Sequence, residues 1–207
     1  MFDNLVTYHV HKCDPLLPNN ALAYQYILAG NGVFIRAETN FFEAIFPIAP
    51  CTVRGLVPLH QHFRLKVPRM PVCLLDSVLT DACRIRRSDG GRPDNGLNEV
   101  LYQFYHHGET VQVKKPAQQT TRTSVAAASD SDPALLCDLH SHGNLSAFFS
   151  PTDNADEQGV RLYAVMGKLD TEPEIRVRVG VYGYWRPLPV TAVFTANGSF
   201  KDLYEAA

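Results

Sequence analysis

The sequence has little that would direct it to a membrane, to nucleic acid or into an oxidising compartment. Its most hydrophobic stretch, 41–53, is interrupted by Glu43, Pro47 and Pro50 and is too short to cross a bilayer. The opening residues, MFDNLVTYHVHKCDPLL, carry an early acid and no continuous apolar centre, so they do not read as a signal peptide. Neither sign of charge is in excess. With 19 basic and 21 acidic side chains and a formal net charge of −2, the chain lacks the basic footprint that nucleic acid or an anionic membrane requires. Five cysteines (13, 51, 73, 83 and 137) form an odd set without a Cys-x-x-Cys pair, which argues against a disulfide framework. These absences predict a soluble, cytoplasmic protein with reduced thiols, whose partner is a protein or a small molecule.

What is present is enough to fold. The 207 residues are 45% hydrophobic, which allows one large domain or two small ones with a substantial core. In the first third, apolar, β-branched and aromatic runs at 22–29, 33–38 and 41–48 are separated by Gly30-Asn31-Gly32 and Glu38-Thr39-Asn40, which predicts a small β-meander. Proline punctuation from Pro58 to Pro71 places a boundary near residue 68. The expected organisation is a β-rich N-terminal domain over 1–68 and an α+β domain over 69–207.

The second part changes period. Val72, Leu75, Val78, Leu79, Ala82 and Cys83 recur at three- and four-residue spacing, predicting an amphipathic helix over about 70–86. A loop follows at 88–96, then one or two strands at 98–113 turning at Gly108. The 115–133 segment is rich in Ala, Ser, Thr, Gln and Asp and reads as a mobile insertion. Next come a strand at 135–142, a short helix starting at Ser150, and strands at 160–169 and 174–183. In the last of these Ile175, Val177, Val179 and Val181 alternate with Arg176 and Arg178, the mark of a half-buried strand. Residues 187–194 can supply a final strand, and no internal repeat is visible.

Six of the eight histidines sit in His-x-His pairs, at 9/11, 60/62 and 140/142. On a strand, residues i and i+2 share a face, so such a pair can present two imidazoles to one cation. For 9/11 and 60/62 no acid or third donor follows at a useful spacing, and they are read as ordinary histidines. The third pair continues His140-Ser-His142, seven residues, Ser150-Pro-Thr-Asp153. Two histidines from a strand and a carboxylate beyond a loop are the three protein ligands of a catalytic zinc site, which keeps one position for water. Ser150-Pro151-Thr152-Asp153 is also a helix start, so Asp153 could serve as a cap. Asp138, at i−2 from His140, is expected on the same face, where it could orient a ligand ring. Cys137 points to the core, and Asp156 and Glu157 read as solvated charges.

The pattern His-x-His, seven residues, Ser-x-x-Asp resembles the signature of JAMM (MPN+) zinc metalloproteases. More narrowly, His-Ser-His…Ala-Phe-Phe-Ser-x-x-Asp…Glu-x-x-x-Arg-Leu-Tyr-Ala-Val-x-Gly is similar to the PRTRC system protein A family of bacterial gene cassettes. That likeness extends through Arg178-Val-Gly-Val-Tyr-Gly and back to Asn31-Gly-Val-Phe-Ile-Arg-Ala-Glu. The resemblance implies a JAB/MPN-like mixed β-sheet with flanking helices and one Zn²⁺ per chain, held by His140, His142 and Asp153. It implies an upstream glutamate as general base, and Glu99, 41 residues before His140, is the matching position; Glu109 is its competitor. It also implies Ser150 as a hydroxyl donor to the developing oxyanion, and a peptide or isopeptide bond at the C-terminus of a ubiquitin-like protein as substrate. Two departures stand out: Gly143 replaces the proline that commonly follows the second histidine, and the glycine usual soon after the glutamate is missing.

The rival reading is a catalytically silent MPN-type interaction scaffold with an empty or structural zinc site. A serine nucleophile is disfavoured, because no Gly-x-Ser-x-Gly elbow surrounds Ser150. A nucleobase deaminase ranks lower still, because no Pro-Cys-x-x-Cys is present.

Overall fold

In the computed structural model, described for residues 4–85, 97–121, 123–127 and 132–205, the chain divides into two compact units. The first comprises Met1–Val67 with two later stretches, Gln158–Val160 and Gly180–Arg186; the second comprises Pro68–Glu157, Arg161–Val179 and Pro187–Ala207. The first unit is thus not one consecutive block ending at residue 68, because the chain returns to it twice.

A five-stranded sheet forms the first unit, in the order β1 (Val6–Val10), β2 (Tyr24–Ala29), β3 (Gly32–Glu38), β4 (Phe42–Pro50) and β5 (His62–Leu65). β1 runs parallel to β2, and the other pairings are antiparallel. Strand alternation sets the core: in β2, Gln25, Ile27 and Ala29 are buried while Tyr24, Tyr26 and Leu28 are half-buried. Ile27, Ala29, Phe34 and Ile45 pack together, with Leu16 and Leu59 against them. The buried Glu43 carboxylate takes the Arg36 guanidinium at 2.5 Å and Arg64 at 3.1 Å, so its charge is compensated where it is desolvated.

The second unit opens with α1 (Val72–Ala82), which buries Leu75, Val78 and Ala82, three positions of one helical stripe. It ends four residues before the expected stop, with Cys83 turning back onto Leu79. The predicted 88–96 loop lies outside the described residues. The strands that follow are β6 (Leu101–His107), β7 (Thr110–Lys114), β8 (Gln118–Thr120), β9 (Val125–Ala127) and β10 (Leu135–Ser141). After α2 (Pro151–Asp156) come β11 (Arg161–Gly167), β12 (Glu174–Val181), β13 (Tyr184–Leu188) and β14 (Lys201–Asp202). The larger sheet has the order β13-β12-β11-β10-β6-β7, with β14 pairing β12. β10 lies parallel to β11 and antiparallel to β6, which makes the sheet mixed. As an inner strand it is buried on both faces, and Leu136, Cys137 and Leu139 have at most 1% exposure.

Three expectations need correction. The 115–133 segment is not a structureless insertion, since β8 and β9 pair antiparallel within it and it is tied down at both Glu99 and Leu101. Residues 187–194 do not form one strand: β13 stops at Leu188 and a 3₁₀ turn takes Val190–Ala192, with Pro189 before it. The flanking helices are slight, amounting to α1 and the six-residue α2 among the described residues. None of these helices is long and apolar enough to cross a membrane.

Candidate metal centre

β10 and β6 build the floor of the site. His140 and His142 project from the same face at the end of β10 and just beyond it, and the two residues are 6% and 4% exposed. Leu101 pairs with His140, and the Ser141 N–H donates to the Val100 carbonyl at 2.9 Å, so the ladder continues one residue past β6. Extending that register sets Glu99 opposite His142 and on the histidine face. The Glu99 N–H donates to the Thr121 carbonyl at 2.8 Å, which fixes its backbone against the β8–β9 hairpin.

α2 supplies the carboxylate. Ser150 is its N-cap and Pro151 its first residue, as Ser-Pro-x-Asp predicts. The Ser150 hydroxyl accepts from the Asp153 N–H at 3.2 Å, and the Ser150 N–H donates to Asp153 Oδ2 at 2.6 Å, a complete capping box. Capping and facing the histidines are not alternatives for Asp153: Oδ1 lies 3.4 Å from His140 Nε2 and Oδ2 lies 3.8 Å from His142 Nε2.

The two Nε2 atoms are 3.1 Å apart, and ligand atoms of all three residues lie within 4.8 Å of one another. Zinc bonds of about 2.0–2.1 Å in tetrahedral geometry require ligand separations of about 3.3 Å. The three observed spacings bracket that value, so these residues fit a zinc ion without rebuilding the loop between them. Among the described residues this is the one group of three or more potential ligands so placed. The 9/11 and 60/62 pairs gather no comparable set.

The protonation states suit a cation. Burial, and then the neighbouring His140, hold the His142 imidazole below its usual range, which favours the neutral ring that a metal needs. Burial would raise the Asp153 carboxyl, but His140 and the Ser150 backbone and hydroxyl outweigh it and keep the carboxylate ionised. Burial pushes the Glu99 carboxyl up to about 7, with His140 opposing and the Asp153 charge adding to the rise. A buried carboxyl near neutrality beside a ligand cluster has the character of a general base. Glu109, its competitor, is exposed on the Gly108 turn.

Residues 82–179 match the family described as prokaryotic homologs of the JAB domain. That stretch runs from the end of α1 through most of β12 and contains Glu99, both histidines, Ser150 and Asp153. No curated protein matches the chain. Of the two departures from the JAMM pattern, the glycine at 143 has a physical consequence in this fold. Gly143 has φ +54, which proline cannot adopt, and a Cβ there would meet the Leu97 carbonyl oxygen at 2.8 Å. The loop behind the second histidine therefore takes a left-handed turn specific to glycine. Gly143→Ala is expected to cost about 2 kcal/mol, from the left-handed backbone and that contact, read as a lowered melting temperature.

Sequence reasoning missed the framework behind the ligands. Asp138 does not orient a histidine; it is held by Arg161 at 2.6 Å and Gln103 at 3.2 Å. Glu157 is not a solvated charge, because Arg178 pairs with it and both side chains are nearly covered. Glu174 on β12 holds the loop before α2, accepting from the Ser146 hydroxyl at 2.7 Å and Lys168 at 2.5 Å. Those bonds to Lys168 and Ser146 hold the Glu174 carboxyl down at about 2. Its contribution is therefore full above the ordinary carboxylate range and disappears as pH falls from about 4.5 toward 2. Glu174→Gln should destabilise the protein by about 1–3 kcal/mol at pH 7, and the gap should close in urea titrations repeated toward pH 2.

Proposed function

We propose that the protein is a zinc-dependent peptidase or isopeptidase that hydrolyses an amide bond at the C-terminus of a ubiquitin-like protein. The observation that carries this reading is the convergence of His140 Nε2, His142 Nε2 and an Asp153 carboxylate oxygen, with Glu99 buried beside them. His140, His142 and Asp153 would hold the Zn²⁺, which would supply a Lewis acid able to lower the pKa of a water to about 7 and to polarise a carbonyl oxygen. The Glu99 carboxylate takes the proton of the attacking water on its oxygen and passes it to the departing amine nitrogen. The Ser150 hydroxyl accepts the Asp153 N–H, which leaves its own proton to donate to the substrate's carbonyl oxygen, a contribution of about 3 kcal/mol for one such donor.

The ubiquitin-like substrate rests on the sequence likeness to JAMM enzymes, and the narrower likeness to PRTRC system protein A suggests that it is encoded close by in a bacterial gene cassette. A cytoplasmic location agrees with free, unpaired cysteines. The test is to incubate the full chain with ubiquitin-like fusions bearing varied C-terminal tails, with and without a chelator, and to locate any cut by mass spectrometry. Chelator-sensitive cleavage at the fusion junction supports the enzyme. Stoichiometric zinc without cleavage of any fusion favours the interaction scaffold instead.

A further inference from the structure

The residues that hold the ligands in place come from one face of β12. Strand alternation puts Glu174, Arg176 and Arg178 on that face, and each grips the 146–157 segment at a different point. Glu174 holds Ser146, and Arg176 Nε donates to the Ala147 carbonyl at 2.9 Å. Arg178 makes the most varied set of contacts. Its Nε donates to Glu157 Oε2 at 2.9 Å, its Nη2 donates to the same oxygen, and its Nη1 donates to Asn154 Oδ1 at 2.7 Å. Its guanidinium lies over the Phe149 ring, 3.6 Å from the centroid. Phe149 in turn meets His140 edge-on, with centroids 6.3 Å apart.

α2 cannot orient itself. It has six residues, none of them buried, so neither its own length nor an apolar face fixes its direction. Its N-terminus is set by the Ser150 capping box, while its far end is set by Arg178 through Asn154 and Glu157. Asp153 lies between these two anchors. The same guanidinium backs the ring that abuts His140. One side chain therefore reaches two of the three ligands by separate routes, through α2 to Asp153 and through Phe149 to His140.

We infer that Arg178 is a positioning residue of the metal centre, holding Asp153 and His140 at the separation a single ion requires; this rests on the zinc reading above. The role needs the planar fork and the flat face of a guanidinium. A lysine supplies the charge but neither the paired donation nor the stacking.

The experiment compares the full-length wild type with Arg178→Lys and Asn154→Ala. It reads zinc affinity by competition with a chromogenic chelator, the visible spectrum of the Co²⁺-substituted protein, and the melting temperature of the metal-free form. Arg178→Lys keeps a cation beside Glu157. It is expected to weaken zinc binding by about 10- to 100-fold, the usual effect of losing a group that orients ligands, and to alter the Co²⁺ bands. Asn154→Ala should move both in the same direction by less. A purely structural arginine would lower the melting temperature and leave affinity and spectrum as in the wild type, and that result overturns the inference. Should Arg178→Lys not fold, Asn154→Ala and Phe149→Leu decide: unchanged affinity in both overturns it equally. A wild type that binds no zinc defeats the metal reading and this one together, whereas unaltered variants of a zinc-binding wild type defeat only the positioning role.

Discussion

Asp153→Asn is expected to lose at least about 100-fold in zinc affinity while leaving the metal-free fold intact. The substitution keeps an oxygen where Oδ2 now accepts the Ser150 N–H, so the start of α2 retains its cap. What it removes is the negative charge between His140 and His142. Loss of a residue that merely orients a ligand costs 10- to 100-fold in affinity, and loss of a direct ligand costs no less. The readout is thermal stability with and without Zn²⁺. A ligand that binds only the folded state stabilises by about 2.7 kcal/mol at a hundred times its Kd, so wild type should melt higher as zinc is added. The variant should show little rise at the same zinc concentration, although its metal-free melting curve at pH 8 stays close to that of the wild type. At that pH the buried His142 is neutral, so the substitution forfeits no charge attraction to that ring in the absence of metal. A normal zinc-induced shift in Asp153→Asn would remove the carboxylate from the ligand set.

The parts of this site legible in the sequence are those whose geometry is local. His-x-His on a strand fixes two rings to one face by backbone period alone. Ser-Pro-x-Asp fixes a helix start, and both appear where the residues place them. The Gly108 hairpin between β6 and β7 belongs to the same class, since its φ of +65 is set by the residue itself. What the sequence concealed depends on neighbours distant along the chain. Arg176 and Arg178 alternate with valines, a pattern that normally describes a half-buried strand with a wet face. Here the 146–157 segment lies over that face and turns the arginines into anchors for the ligand-bearing loop and helix. The polar 115–133 segment misled for a related reason. Gln118 accepts the Leu101 N–H at 2.8 Å and donates to the Leu101 carbonyl at 3.1 Å. A side chain thus stands in for a strand partner, and composition cannot reveal that substitution. Glu99 is intermediate: its chain distance from His140 suggested it, but only the antiparallel register of β6 with β10, extended back from Leu101, sets it opposite His142.

Glu99→Gln should bind zinc as the wild type does and hydrolyse its substrate about 10²- to 10⁴-fold more slowly, the range for removing a positioned general base. The amide has nearly the same shape and fits the same nearly buried position, 7% exposed in the wild type, but it can neither take a proton nor pass one on. A second effect, on stability, separates this role from a structural one. Burial raises the Glu99 carboxyl from its ordinary value to about 7, so the folded chain holds that proton more tightly than the unfolded chain. A carboxyl with a raised pKa costs nothing at low pH, where both states are protonated. It destabilises the metal-free fold progressively as pH rises from about 4.5 through 7, by up to about 3 kcal/mol. The glutamine variant cannot ionise and escapes that loss. Metal-free Glu99→Gln should therefore match the wild type at pH 4.5 and exceed it in stability at pH 8, while zinc-loaded enzyme shows the reverse ranking in activity. A desolvated carboxylate kept beside three potential ligand atoms at a cost in stability is the pattern expected of a proton-transfer group. Should the variant cleave at the wild-type rate, Glu99 is not the base; should it gain no stability on the alkaline side, burial does not raise its carboxyl.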